Sequence, residues 1–139
     1  MVLGFLLILQ SLMVMKPYGA KHSGGKSEVE LTPSTLPAFI KKYRCVVVKF
    51  YTPTCGACLQ LKPHYTSLAQ KIHAGKENIV VAAINIATYP KVGWKHGIGG
   101  IPTIKIFRKN NGKVYPTPKA MAWLAQQANA EATKRQRRK

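Results

Sequence analysis

The stretch FYTPTCGACLQLKP, residues 50–63, sets Cys55 and Cys58 two residues apart where one hydrophobic pattern gives way to another. Upstream, CVVVKFY (Cys45–Tyr51) is β-branched and aromatic with almost no alternation, as in a strand covered on both faces. Downstream, Leu61, Tyr65, Leu68, Ala69 and Ile72 recur at helical spacing through Ala74, and the pattern persists past Pro63, which predicts a kink rather than an end. The cysteine pair has three readings: a redox centre, half of a metal site, or a structural or inert pair. A tetrahedral zinc site needs four ligands, and the other candidates, Cys45, His64, His73 and His96, form no second pair at ligand spacing. The junction itself favours redox chemistry. A sulfur at a helix N-terminus meets unpaired N–H groups and the positive end of the macrodipole, which stabilise a thiolate. A second thiol one turn onward is placed to resolve a mixed disulfide, and Gly56 is expected to relieve crowding at the turn.

Outward from this junction, strands and helices alternate. TPSTLPAFIKKY (Thr32–Tyr43) begins with capping residues and carries Leu36, Phe39 and Ile40 at helical spacing. IVVAAINI (Ile79–Ile86) is a second buried-strand run, Tyr89–His96 a short helix, and Gly97–Gly100 a loop. TIKIF (Thr103–Phe107) alternates and pairs with Lys113–Tyr115 through Asn110-Asn111-Gly112, a clipped strand with Pro116 and Pro118 close behind. Pro118–Ala130 reads as a terminal helix opened by proline. These elements predict one α/β domain over residues 29–130, with a mixed sheet and helices on both faces. Residues 131–139 end in KRQRRK and are expected to be a disordered basic tail.

The composition, 46% hydrophobic, belongs to a globular chain, and three cysteines leave an odd one in any disulfide scaffold. Cys45 opens the buried strand and is expected to be a core thiol. No charged side chain precedes Lys16, and the run is shorter than the ~20 apolar residues a bilayer-crossing helix needs. Residues 1–20 therefore read as a signal peptide, cut near Ala20 or retained as an anchor, and Lys21–Glu28 as a polar linker. A leader implies the secretory pathway, either the endoplasmic reticulum lumen or secretion, where disulfides persist. No stable membrane span is expected once it is removed. The sequence does not close on a Lys-Asp-Glu-Leu-type retrieval signal, so retention would rest on a partner, an anchor or another signal. With 22 Lys+Arg against 4 Asp+Glu, the net charge is +18. This is either a solvated basic surface or a field that attracts acidic proteins. Nucleic acid is a poor fit behind a secretory leader, despite the basic tail.

VVVKFYTPTCGACLQLKP resembles the active-site segment of thioredoxin-fold oxidoreductases, closest to the protein disulfide isomerase type through Phe50-Tyr51 and Pro53. Pro63 matches the family's helix-kinking proline, and Gly100-Ile101-Pro102-Thr103 matches its Ile-Pro-Thr landmark, whose proline is cis and packs against the cysteines. The resemblance spans about residues 29–127. It implies a thioredoxin fold, no bound cofactor or metal, and thiol–disulfide exchange on cysteine-containing protein substrates, with Cys55 attacking, Cys58 resolving and Pro102 shaping the docking edge.

The chain departs from that pattern at several positions. Lys49 stands where the family carries a buried acid thought to accept a proton from the second thiol. A buried lysine is costly unless neutral or paired, so Lys49 either acts on the thiols or snorkels to the surface. Thr54 replaces a Trp, Gly99 replaces an Arg, and Ala57 sits between the cysteines where oxidising centres carry His. These changes suggest tuned or slower exchange, at an intermediate potential between about −180 and −270 mV. They also leave open a rival reading, a catalytically weakened thioredoxin-fold binding module with a basic partner surface.

Overall fold

A computed structural model of the chain describes residues 28–74, 78–108 and 111–139. The predicted leader, 1–20, and residues 21–27 of the predicted linker lie outside the described residues. In chain order the elements are β1 (Val29–Glu30), α1 (Thr35–Lys42), β2 (Cys45–Tyr51), α2 (Gly56–Ala74), β3 (Ile79–Asn85), α3 (Pro90–Lys95), β4 (Thr103–Arg108), β5 (Asn111–Tyr115) and α4 (Thr117–Arg137). The five strands form one mixed sheet in the order β1-β3-β2-β4-β5. β2 runs parallel to β3, with Lys49 opposite Ala83, and antiparallel to β4, with Lys49 opposite Ile104.

The central strand explains its own composition. Its odd and even positions feed two separate cores, so both faces are covered and Lys49 is the one charged side chain among them. Val46, Val48 and Phe50 pack with Leu36 and Phe39 of α1 and Val92 of α3. Cys45 and Val47 pack on the other face with Tyr65, Ala69 and Ile72 of α2 and Ala120, Leu124 and Ala128 of α4. The helices thus lie on both faces, as predicted, and the architecture is the mixed α/β sheet expected from the sequence. Helix α2 continues through Pro63 to Ala74. Among the described residues no helix is long and apolar enough to cross a membrane.

Two boundaries differ from the sequence reading. Val29–Glu30 is a short edge strand paired in parallel with Ala82 and Ala83. The predicted linker residue Glu28 immediately before it is drawn against the domain, where it bonds Lys49 and Thr66. At the other end α4 runs to Arg137, so the expected disordered tail is helical over most of its length. Glu131 is buried on the helix face that continues from Ala128 and pairs with Lys134 at 3.3 Å. The basic residues of the last turn also suit the negative end of the helix dipole.

Candidate functional site

The turn after β2 delivers the two cysteines to the start of α2. Cys55 N–H bonds Thr52 C=O at 3.4 Å, and Cys55 C=O accepts the Leu59 N–H at 3.0 Å, which begins the helix. Cys55 Sγ, half-buried, accepts the N–H of Cys58 at 3.1 Å. Cys58 is buried behind it. One sulfur is therefore presented and the other held in reserve, one helical turn inside. Both are free thiols. Burial raises the Cys58 thiol above its ordinary pKa, and its contact with Cys55 raises it further, while a bond with the Thr52 backbone and, more weakly, the Lys49 charge pull it partly back.

Opposite the pair lies the loop before β4. The Ile101–Pro102 peptide bond is cis, and the Cys55 thiol donates to Ile101 C=O at 3.9 Å. Thr117, the first residue of α4, donates to Pro102 C=O at 3.4 Å and ties the loop to the last helix. Ile101, 46 residues beyond Cys55, thus meets the outer sulfur through the register of β4 on β2, with cis Pro102 immediately after it. Gly56 and Ala57 are exposed between the sulfurs. A Cβ at Gly56 would meet nothing within 4 Å, so crowding does not account for that glycine. Gly99 is likewise open.

Lys49 does not snorkel. It is 3% exposed, and its ammonium lies 4.5 Å from the Tyr65 ring centroid and 5.3 Å from that of Tyr51. Its Nζ donates to Glu28 Oε1 at 3.2 Å. The Thr66 hydroxyl donates to the other oxygen of Glu28 at 2.8 Å. Burial works against the Glu28 charge, but its own backbone amide, Thr66 and Lys49 outweigh it and hold the carboxyl below its ordinary pKa. Tyr65 is fixed in turn: its buried hydroxyl donates to Ala82 C=O at 2.7 Å and Val47 C=O at 3.3 Å. A cavity of about 390 Å³ connects these groups, with Glu28, Lys49, Tyr51, Cys58 and Thr66 in its walls. Nothing in a polar, glycine-rich segment marks Glu28 as a residue that packs against the domain; its partner is 21 residues away.

The remaining candidates sit elsewhere. Cys45 is buried at the far end of β2, and burial pushes its thiol up although Arg108 and Arg44 oppose this. His96 lies between the rings of Phe50 and Phe107, at 5.8 and 5.7 Å. Among the described residues no three His, Cys, Asp or Glu side chains converge as a metal site requires.

Known proteins resemble the chain in sequence and in fold. The thioredoxin family profile matches residues 27–129. A probable protein disulfide-isomerase A4 of Caenorhabditis elegans is 33% identical over 96 residues, covering 69% of this chain and 16% of that protein. A protein disulfide-isomerase A6 homolog of Drosophila melanogaster is 33% identical over 131 residues, covering 92% of this chain and 30% of that protein. The chain thus spans less than a third of either relative. The solution structure of the first thioredoxin domain of mouse protein disulfide-isomerase A4 superposes with a TM-score of 0.61 at 26% identity, over 71% of this chain and 74% of that one.

Proposed function

The chain belongs to the thioredoxin family, and from that premise we propose that it is a thiol–disulfide oxidoreductase that forms, reduces or rearranges disulfides in cysteine-containing protein substrates. The observation that carries this is the unequal burial of two adjacent sulfurs, with half-buried Cys55 Sγ accepting the Cys58 N–H at 3.1 Å. The outer sulfur is the one a substrate can reach, and as a thiolate it is the nucleophilic form. In the reducing direction that thiolate attacks a substrate disulfide and expels one substrate sulfur as thiolate. Cys58 then attacks Cys55 Sγ, the Cys55–Cys58 bond forms, and the second substrate sulfur leaves. Two electrons pass from the dithiol to the substrate, and oxidation runs the same steps backwards. Pro102 and the Ile101 carbonyl form the wall on which the substrate segment rests, and the exposed Gly56 and Ala57 leave the approach to Cys55 open.

The site of action in this proposal is the secretory pathway, in the endoplasmic reticulum lumen or after secretion. The uncharged apolar start of the chain and its likeness to protein disulfide isomerases support that reading. A net charge of +18 favours acidic protein clients.

The test is a pair of trapping variants. Cys58→Ser removes the resolving thiol and accumulates mixed disulfides through Cys55, visible as slow bands on non-reducing gels, whereas Cys55→Ser accumulates few. Equal trapping by both variants would contradict the assigned roles. No trapping by either would favour the binding-module reading.

A further inference from the structure

We infer that Glu28 and Lys49 form a positioning pair for Cys58, in which the β1 carboxylate holds a buried ammonium beside the cavity that the resolving thiol shares, so that Cys58 is ionised when it must attack. The inference rests on the dithiol reading above and assigns it two further residues.

Three observations lead here. First, the ammonium has no freedom to leave. The Glu28 carboxylate and the faces of Tyr51 and Tyr65 surround it, and Tyr65 is itself held by its bonds to Val47 and Ala82 carbonyls. Second, both Glu28 oxygens are occupied, one by Lys49 and one by Thr66, so the carboxylate is fixed rather than roaming the cavity. Third, Lys49 and Cys58 line the same cavity; burial and Cys55 raise the Cys58 thiol, and the Thr52 backbone and, to a lesser degree, the Lys49 charge oppose that rise. The other titratable groups facing Cys58 are Glu30 on β1, Tyr51 on β2, and Cys55 and Lys62 on α2. Glu30 is engaged by the Tyr51 hydroxyl at 2.9 Å.

Stability alone does not call for such a pair. Burying two charges usually costs as much as their attraction returns, and an apolar pair of the same size does as well or better. A buried pair against a cavity that contains a titrating thiol is where functional tuning is expected. The step served is resolution. The Cys58 thiol gives its proton to solvent through the cavity, its thiolate attacks Cys55 Sγ, the Cys55–Cys58 bond forms and the Cys55–substrate bond breaks. The bonding pair leaves on the substrate sulfur, which then takes up a proton.

The two half-reactions separate with an aromatic disulfide as probe. Ellman's reagent, 5,5′-dithiobis(2-nitrobenzoate), reacts with Cys55 and releases one coloured thiolate; attack by Cys58 then releases the second. In the full chain with Cys45→Ala, to remove the third thiol, stopped-flow absorbance gives both rates against pH. Lys49→Met is expected to slow the second release about tenfold at pH 7 and to move its pH midpoint up by about one unit, with the first release changed far less. Lys49→Arg should restore most of the rate, and Glu28→Gln should fall between. A second-release profile unchanged in both Lys49→Met and Glu28→Gln would overturn the inference and leave the dithiol mechanism standing. Absence of the first release in the parent would overturn the dithiol reading and this inference with it.

Discussion

Breaking the Glu28–Lys49 pair should cost far more stability than replacing it. At 3.2 Å and an effective dielectric near 20, the attraction between the charges is about 5 kcal/mol before desolvation is counted. The side chains are 4% and 11% exposed, so solvent replaces little of what a lost partner supplied. Glu28→Gln leaves a buried ammonium held mainly by two aromatic rings, and removing one partner of a buried pair costs about 3–5 kcal/mol. The rings retain part of the interaction, so about 3 kcal/mol is expected, on the order of 10 °C in Tm for a domain of this size. The double variant Glu28→Gln/Lys49→Met removes both charges and should recover most of that loss. Equilibrium urea unfolding of the four proteins of the cycle supplies the coupling energy. The carboxyl is held below its ordinary pKa of 4.5, so its stabilisation is present above that pH and is lost as pH falls through the lower folded value. The gap between parent and Glu28→Gln should therefore close in acid. A Glu28→Gln penalty below about 1 kcal/mol, with single effects that add to within ~0.5 kcal/mol in the double variant, would show that the charges do not feel each other and refute the reasoning.

Two further outcomes test the packing around the site. A Cβ at Gly112 would lie 2.6 and 2.7 Å from carbons of the buried Phe107 ring, so Gly112→Ala should cost about 1–3 kcal/mol in the same urea assay; a loss under about 0.5 kcal/mol would mean that the ring swings aside freely. Burial, with Lys105 and Lys95 nearby, lowers the His96 pKa from 6.5, so the folded state resists protonation there and loses stability as pH falls below about 6.5. His96→Leu should flatten that part of the pH–stability curve, and an unchanged slope would place the acid sensitivity in another group.

What was legible in the sequence was what is encoded locally. The Val-rich runs of β2 and β3 have no polar face because helices cover both sides, and two thiols at a strand-to-helix junction carry their chemistry in the spacing. Pro102 was legible only through its likeness to a known landmark. The register of antiparallel β4 is what brings the preceding Ile101 carbonyl to Cys55. Glu28 was hidden because β1 is two residues long, too short to show a period, and its pairing depends on register with β3. Without Glu28 in view, the surroundings of Lys49 stayed open between two readings, and burial decided against the snorkelling one. Helix α4 outruns its predicted end at Ala130 because a dense basic run signals disorder while the buried helix face continues beneath it. Buried Ala120, Leu124, Ala128 and Glu131 keep helical spacing past Ala130 and were the signal available.

The Tyr65 hydroxyl bonds carbonyls of two neighbouring strands from the middle of α2. A helix riveted in this way opens together with β2 and β3 or not at all. Amide protons of α2 around Tyr65 should then exchange with deuterium as slowly as those of the central strands, reporting the global opening free energy. The Cys55 amide, whose bond to Thr52 C=O is 3.4 Å long, should exchange orders of magnitude sooner. Cys55 thus sits on a small yielding cap above a rigid post, so a bulky partner can be joined to the outer sulfur without loosening the element that carries the inner one.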